Sequence, residues 1–179
     1  MAAPRRKTGP AIRDPSALVD LVRGGGELPV LLVTGRDWYT RDAVLQDLRR
    51  CVVAGGFEAF NEALLWGEEV SGADLVNQAE MMPMGGGRRW IQVRRADRIR
   101  EKDLEPAVKY AASPSPDTCL VLVFDEGRSA ALTALGKVAP SIDFPAPRDY
   151  QLARWLEAQA RRLGHTIEPQ AARALADLA

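Results

Sequence analysis

The sequence predicts an α/β protein built on a doubly wound parallel sheet, and three observations carry that prediction. The runs Pro29–Gly35 and Cys119–Phe124 are continuously apolar rather than alternating, as strands buried on both faces are. Stretches of helical periodicity separate the strand-like segments, the order that crossover connections demand. Glycine and proline punctuate the boundaries, most clearly at Gly24-Gly25-Gly26, Gly85-Gly86-Gly87 and Pro145-Ala146-Pro147.

The elements follow in order. Residues 1–13 are polar, basic and carry Pro and Gly, so they are expected to be disordered. Asp14-Pro15 caps a short helix bearing Leu18, Val19, Leu21 and Val22, which the three glycines stop. After the first buried strand comes a helix from Thr40 to Val53, with Val44, Leu45 and Leu48 on one stripe, ended by Gly55-Gly56. Residues 57–66 read as strand. Ser71, with Asp74 three residues on, opens a helix carrying Leu75, Val76 and Ala79 that Pro83 breaks near Met81 or Met82. Trp90–Val93 is a strand, Glu101–Ala112 a helix with Leu104, Val108 and Ala111 inward, Ala130–Val138 a helix, and Ile142–Phe144 a closing strand. Beyond Pro145-Ala146-Pro147 the pattern is helical only: Asp149–Leu163, stopped by Gly164, then a helix opening at Glu168-Pro169. The expected organisation is an N-terminal extension with a short helix (1–26), an α/β domain (27–144) and the start of a helical domain (145–179), cut off in mid-helix so that the chain reads as a fragment.

Composition narrows the function. The chain has 179 residues, enough for one ordinary domain and part of a second. Lys+Arg and Asp+Glu are 24 each, a balance that argues against a dedicated nucleic-acid or membrane-surface protein. No apolar run approaches the ~20 residues of a membrane span, and the start lacks a secretory h-region, so a cytoplasmic protein is expected. Cys51 and Cys119 lack CxxC spacing and read as buried free thiols of a reducing compartment. The single histidine, His165, follows a helix stop and reads as a turn residue; it cannot build a His-rich metal site, and no Ser-His-Asp or Cys-His arrangement is readable around it.

The first strand ends at Gly35, where a phosphate-binding loop would begin. Such a loop is GxxxxGK[ST]: glycines for close backbone approach, Lys on the phosphates, a hydroxyl on Mg²⁺. Here the chain reads Gly35-Arg36-Asp37-Trp38-Tyr39-Thr40-Arg41-Asp42. Thr40 stands for the second Gly, Arg41 for Lys and Asp42 for the hydroxyl, while Trp38 and Tyr39 fill the space of the phosphates. The reading is a packed strand-to-helix turn, with no cofactor, no metal and no intrinsic catalysis expected. Asp125-Glu126, at the end of the second buried strand, is either an acidic pair for metal and water or two surface carboxylates.

The segment Met81-Met82-Pro83-Met84-Gly85-Gly86-Gly87-Arg88-Arg89 gathers adaptable apolar side chains at a helix end, then a flexible run, then cations. The methionines either form an apolar binding surface or pack beneath the sheet. Arg88, Arg89, Arg94 and Arg95, with Arg98, Arg100 and Lys102, either contact DNA or an acidic partner or form a solvated basic face.

Residues 27–179 resemble the delta subunit of the bacterial DNA polymerase III clamp loader. The resemblance rests on Val30–Gly35 with its altered phosphate loop, Phe60-Asn61, Met82-Pro83-Met84 leading to Arg88-Arg89-Trp90-Ile91, Arg95-Ala96-Asp97, and Trp155-Leu156 followed by Leu163-Gly164 and Ile167. It implies an AAA+-like domain that does not bind ATP, a helical lid domain, and a collar domain that would lie beyond Ala179. It implies a role in DNA replication: binding and opening the sliding clamp (beta subunit), as part of the DNA-directed DNA polymerase holoenzyme. The tau/gamma and delta prime subunits would be partners of the full-length protein, and DNA an indirect one. In the family an apolar pair at a helix end enters a pocket on the clamp. The implied clamp-binding residues are Met82, Pro83, Met84 and Gly85, with the pair falling on Met84 and Gly85. Gly85 cannot supply an aromatic anchor, and replacing it by Phe is expected to restore one. The alternatives from other classes are an active AAA+-type ATPase using Asp125-Glu126 and a basic DNA-binding adaptor.

Overall fold

Six parallel strands form one sheet in the order β1-β6-β2-β5-β4-β3 in the computed structural model, which describes residues 11–12, 14–53, 57–125 and 128–178. The strands are β1 (Ala11–Ile12), β2 (Val30–Thr34), β3 (Glu62–Trp66), β4 (Arg89–Arg94), β5 (Thr118–Val123) and β6 (Ser141–Asp143). The two apolar runs, β2 and β5, pair at the centre, with Val30 opposite Leu120 and Val33 opposite Val123. Their side chains alternate between two cores. Val30, Leu32, Leu120, Leu122 and Phe124 enter one; Leu31, Val33, Cys119, Val121 and Val123 enter the other.

Helices cover both faces. Helices α1 (Pro15–Arg23) and α2 (Trp38–Val52) pack on one side through Leu18, Val19, Val22, Leu45, Leu48 and Val52. Helices α4 (Gly72–Glu80), α5 (Glu101–Ala112) and α6 (Ala130–Leu135) pack on the other through Leu75, Ala79, Ala107, Tyr110, Ala111, Ala131 and Leu135. Three of these helices carry side-chain caps at their starts. Asp14, Ser71 and Ser129 accept main-chain hydrogen bonds from Ser16, Asp74 and Leu132.

Three expectations are corrected. Ala11 and Ile12, read as part of a disordered start, pair with Ser141 and Ile142, and α1 is built into the core. The N-terminal segment therefore joins the α/β unit from Ala11 onward. Residues 1–10 and 13, with Gly55-Gly56 and Glu126, lie outside the described residues. Residues 57–66 are not all strand: Glu58–Asn61 forms the one-turn helix α3 before β3 begins. Cys119 is buried, but Cys51 is only half-buried. A single 3-10 turn at Ala96–Arg98, which the sequence reading did not anticipate, precedes α5.

The chain divides into two compact units, Met1–Phe144 and Pro145–Ala179. The second consists of α7 (Asp149–Arg162) and α8 (Pro169–Ala176), joined where Gly164 takes φ +78° and His165 N–H donates to the Ala160 carbonyl. In this pair only Ala172 is buried among the described residues, whereas Leu163, Leu175 and Leu178 are exposed. Among the described residues no helix is long and apolar enough to cross a membrane.

Burial pushes the Cys119 thiol up to about 12, so at pH 8 it is protonated as well as enclosed. Iodoacetamide should therefore modify Cys51 of the folded protein and leave Cys119 intact until denaturant is added. Peptide mass spectrometry showing equal native labelling of both would contradict this core.

Candidate docking site at the end of α4

Helix α4 is fixed at both ends by what lies beneath it. At its start, Gly72 N–H donates to Asp103 Oδ1 at 2.9 Å, a contact that requires glycine, because a Cβ there would lie 2.4 Å from the Asp103 carbonyl oxygen. The same carboxylate accepts from Arg100 Nε at 2.7 Å. The Gly72 amide first, and the Arg100 guanidinium after it, hold the Asp103 carboxyl below the ordinary value of 3.8. At the other end the Ala79 carbonyl accepts from Thr118 Oγ1 at 2.8 Å and from the Tyr110 hydroxyl at 3.3 Å. Burial raises the Tyr110 hydroxyl above its ordinary value.

The chain leaves α4 at Met81, which has extended backbone angles. Pro83 prevents a further helical turn, and Gly85, Gly86 and Gly87 all take φ between +72° and +83°. The methionines do not pack beneath the sheet. Met82 is 84% exposed, Met81 50% and Met84 51%. The turn that carries them is nevertheless held in place. Met84 N–H donates to Asn61 Oδ1 at 2.8 Å, and Asn61 Nδ2 donates to the Met84 carbonyl at 2.9 Å. Asn61 is buried, so its amide acts as a fixed two-point bracket for the backbone of an exposed side chain.

Helix α3 supplies that bracket and brings two aromatics with it. Phe60 is 61% exposed and Phe57 42%. The Phe57 ring lies against Gly85, where an added Cβ would be 2.2 Å from Phe57 Cδ2. This corrects the expectation for Gly85→Phe: the new side chain would collide with Phe57 and would have to hold φ +72°, so the change strains the turn instead of adding an anchor.

The arginines do not form one surface. Arg88 and Arg89 stand at the start of β4, Arg94 and Arg95 at its far end. Arg88 donates to the Pro116 and Thr118 carbonyls. Arg89 is buried and donates to the Phe60 carbonyl at 3.0 Å and to Gln78 Oε1 at 3.3 Å, tying α3 to α4. The reading of Arg89 as a DNA or acidic-partner contact is thereby corrected: it is an internal brace. Arg94 pairs with Asp42 at 3.6 Å, and Arg95, at φ +53°, pairs with Glu68.

At the carboxyl end of β2, Gly35 takes φ +107° with its Cα pressed on the Phe144 carbonyl, 2.1 Å from where a Cβ would stand. Asp37 caps α2, its carboxylate accepting the Thr40 N–H at 3.0 Å. Trp38 is 64% exposed, so it does not fill a packed space as the sequence suggested; the Asp37 carboxylate takes the helix N–H. Arg41, largely buried, pairs with Asp42 at 3.1 Å and reaches Asp125 at 3.3 Å.

No protein-family model matches the chain, and no curated protein matches it. Solved structures do. The fold is similar to the Bacillus subtilis DNA clamp loader delta protein, with TM-score 0.70 and 22% identity over 90% of this chain and 51% of that one. It is also similar to a DNA polymerase III gamma subunit-related protein of Thermotoga maritima, with TM-score 0.61, 16% identity, and coverage of 90% and 57%. The Thermotoga maritima RuvB Holliday junction branch migration motor follows, with TM-score 0.54, 14% identity, and coverage of 90% and 53%. The chain spans about half the length of these proteins. The fold is therefore an AAA+-like parallel-sheet domain followed by a small helical unit.

Two measurements test the frame around the methionine turn. Asn61→Ala removes both hydrogen bonds to Met84 and should cost about 1–3 kcal/mol in urea unfolding, with faster amide exchange confined to residues near Met84. The stability that Asp103 contributes should be fully present above its unfolded value near 3.8 and lost as pH falls through its depressed folded value. An Asp103→Asn variant should lose that part of the acid transition; an unchanged pH profile would refute the link between Asp103 and α4.

Proposed function

We propose that this chain is the clamp-binding part of a delta-type clamp-loader subunit, acting in DNA replication with DNA polymerase III and without ATP of its own. The observation that carries the reading is the methionine turn: apolar side chains exposed at a helix end, on a backbone that Asn61 holds rigid. Leaving such side chains in water forgoes roughly 1.5–3 kcal/mol each that burial would yield. A pocket on a partner would recover it. The likeness in fold to a clamp loader delta protein supports identifying that partner as the sliding clamp.

On this reading Met82, Pro83, Met84 and Gly85 form the contact. Met84 is presented at a fixed height by its bracket, and Met82 projects furthest into solvent. The chain opens the clamp by differential binding. Contacts that favour the open ring shift the ring's equilibrium by their difference in affinity and no more. Moving that equilibrium from 1:99 to 99:1 needs about a 10⁴-fold preference. The other loader subunits, tau/gamma and delta prime, would supply the rest of the assembly in the cytoplasm, with DNA met through the loaded clamp.

The strand-to-helix turn supports a subunit that does not use nucleotide. The N-terminus of α2, where phosphates would bind, already faces the Asp37 carboxylate, which repels them. Arg41 spends its guanidinium on Asp42 and Asp125 instead of on a phosphate. Both features weigh against the ATPase alternative. The scattering of Arg88, Arg89, Arg94 and Arg95 over the two ends of β4, the first two bonded to carbonyls and the last two in surface ion pairs, weighs against the DNA-binding adaptor.

Immobilised chain should retain the sliding clamp of its own organism, and Met84→Asp should abolish retention while leaving the melting temperature nearly unchanged, because the site is exposed. Retention unaffected by Met84→Asp would place the contact elsewhere. Calorimetry with ATP and Mg²⁺ should give no heat of binding; a micromolar constant would refute the nucleotide-free reading.

A further inference from the structure

We infer that Phe57 supplies, from a different element, the aromatic anchor that the chain lacks at Gly85; the inference rests on the clamp-binding reading above. The geometry is direct. Three atoms of the Phe57 ring lie 2.2, 2.4 and 2.9 Å from the point where a Gly85 Cβ would stand. The ring thus occupies the volume that a side chain at position 85 would enter, immediately beside Met84. It is not consumed there, since Phe57 remains 42% exposed. The substitution is reciprocal. Glycine at 85, with φ +72°, is what lets the ring approach the turn, and the ring is what makes glycine obligatory.

The Phe57 carbonyl is also held by its neighbours. Phe57 precedes α3, whose Asn61 amide donates to Phe57 O at 3.1 Å and whose Phe60 amide does so at 3.0 Å. The same helix grips Met84 through the Asn61 side chain. Aromatic and methionine are therefore carried on one frame, so presenting them together costs little ordering on binding. An exposed aromatic that a partner can cover is a residue type enriched at interfaces.

The turn carries no excess of positive charge that would favour a nucleic acid over a protein cleft as the occupant. The cations nearest the turn, Arg88 and Arg89, are bonded to carbonyls and Gln78. Glu58 and Glu80, at the start of α3 and the end of α4, are exposed. With two carboxylates offsetting two guanidiniums, the apolar surface has no net positive charge to draw phosphate, and an apolar cleft on a protein suits it better.

The test compares clamp binding by the wild-type chain, Phe57→Ala, Phe57→Trp, Phe57→Leu and Met84→Asp, with a photo-crosslinking benzoylphenylalanine placed at 57 in a further sample. Phe57→Ala should weaken binding by about tenfold or more. Phe57→Trp should stay within about threefold of wild type, as a conservative aromatic should at an anchor site. The crosslinker at 57 should capture the clamp. Should Phe57→Ala lose its fold, Phe57→Leu keeps apolar packing on Gly85 without the aromatic face and should still bind more weakly. Wild-type affinity in Phe57→Ala or Phe57→Leu, with Met84→Asp inactive, would overturn the role of Phe57 and leave the clamp-binding reading standing. Weakened binding without any crosslink from position 57 would also overturn it, since the ring would then only support the turn. A wild-type chain that does not bind the clamp would overturn both.

Discussion

β2 and β5 pair in parallel from Val30 opposite Leu120 to Val33 opposite Val123, with every one of these side chains buried. A strand buried on both faces is apolar along nearly its whole length, with any polar group bonded internally as Thr118 is, and it is flanked by further strands and covered by helices. From this one constraint the layering follows. β5 positions β4 and, through it, β3; β2 positions β6; α1 and α2 close one face, and α4, α5 and α6 the other. The pairing also fixes where function can lie. Loops at the carboxyl ends of the strands meet the turn after Gly35, and loops at the amino ends meet the methionine turn that leads into Arg88 and β4.

These two ends are used in opposite ways. At the carboxyl end of β2 the charges satisfy one another. Asp37 takes the amide at the start of α2, and Arg41 bridges Asp42 and Asp125. At the amino end of β4 the polar groups are spent on the scaffold while the apolar groups are left outside. Arg89 braces α3 and α4, Asn61 brackets Met84, and Phe57, Phe60 and the three methionines face solvent. A globular chain gains nothing in stability from that arrangement. It leaves an apolar surface exposed at one end of the sheet and charges paired with one another at the other.

How much of this the sequence could disclose depended on whether the signal was local. The central strands, the caps at Asp14 and Ser71, and the helix stops at Gly24 and Gly164 are written in neighbouring residues, and each was legible. Helix α3 was not. Phe57 to Trp66 has strand-like composition throughout, and residues 58–61 turn helical around partners distant in sequence: Arg89 on the Phe60 carbonyl and Met84 on the Asn61 side chain. The short β1 escaped for the same reason, since Ala11 and Ile12 are ordered only by Ser141 and Ile142. The methionines were legible as unusual, and their exposure was one of two open readings. The division of the arginines between internal braces and surface ion pairs follows from the length of β4, which sets Arg88 and Arg94 at opposite ends of the sheet.

The position that sequence reasoning identified as a defect explains the site best. In sequence Gly85 appears to weaken a motif, because glycine brings no contact area. In three dimensions the relevant quantity is the occupied volume beside Met84, and Phe57 fills it. Two residues 28 positions apart can exchange an aromatic ring for a hydrogen atom only if the backbone between them is held in register. Asn61, the last residue of α3, and Arg89, bonded to the Phe60 carbonyl of the same helix, provide that register. The buried polar residues Asn61 and Arg89 are thus as much a part of the proposed docking site as the exposed apolar ones, because they set the distance between the ring and the methionine that a cleft would have to match.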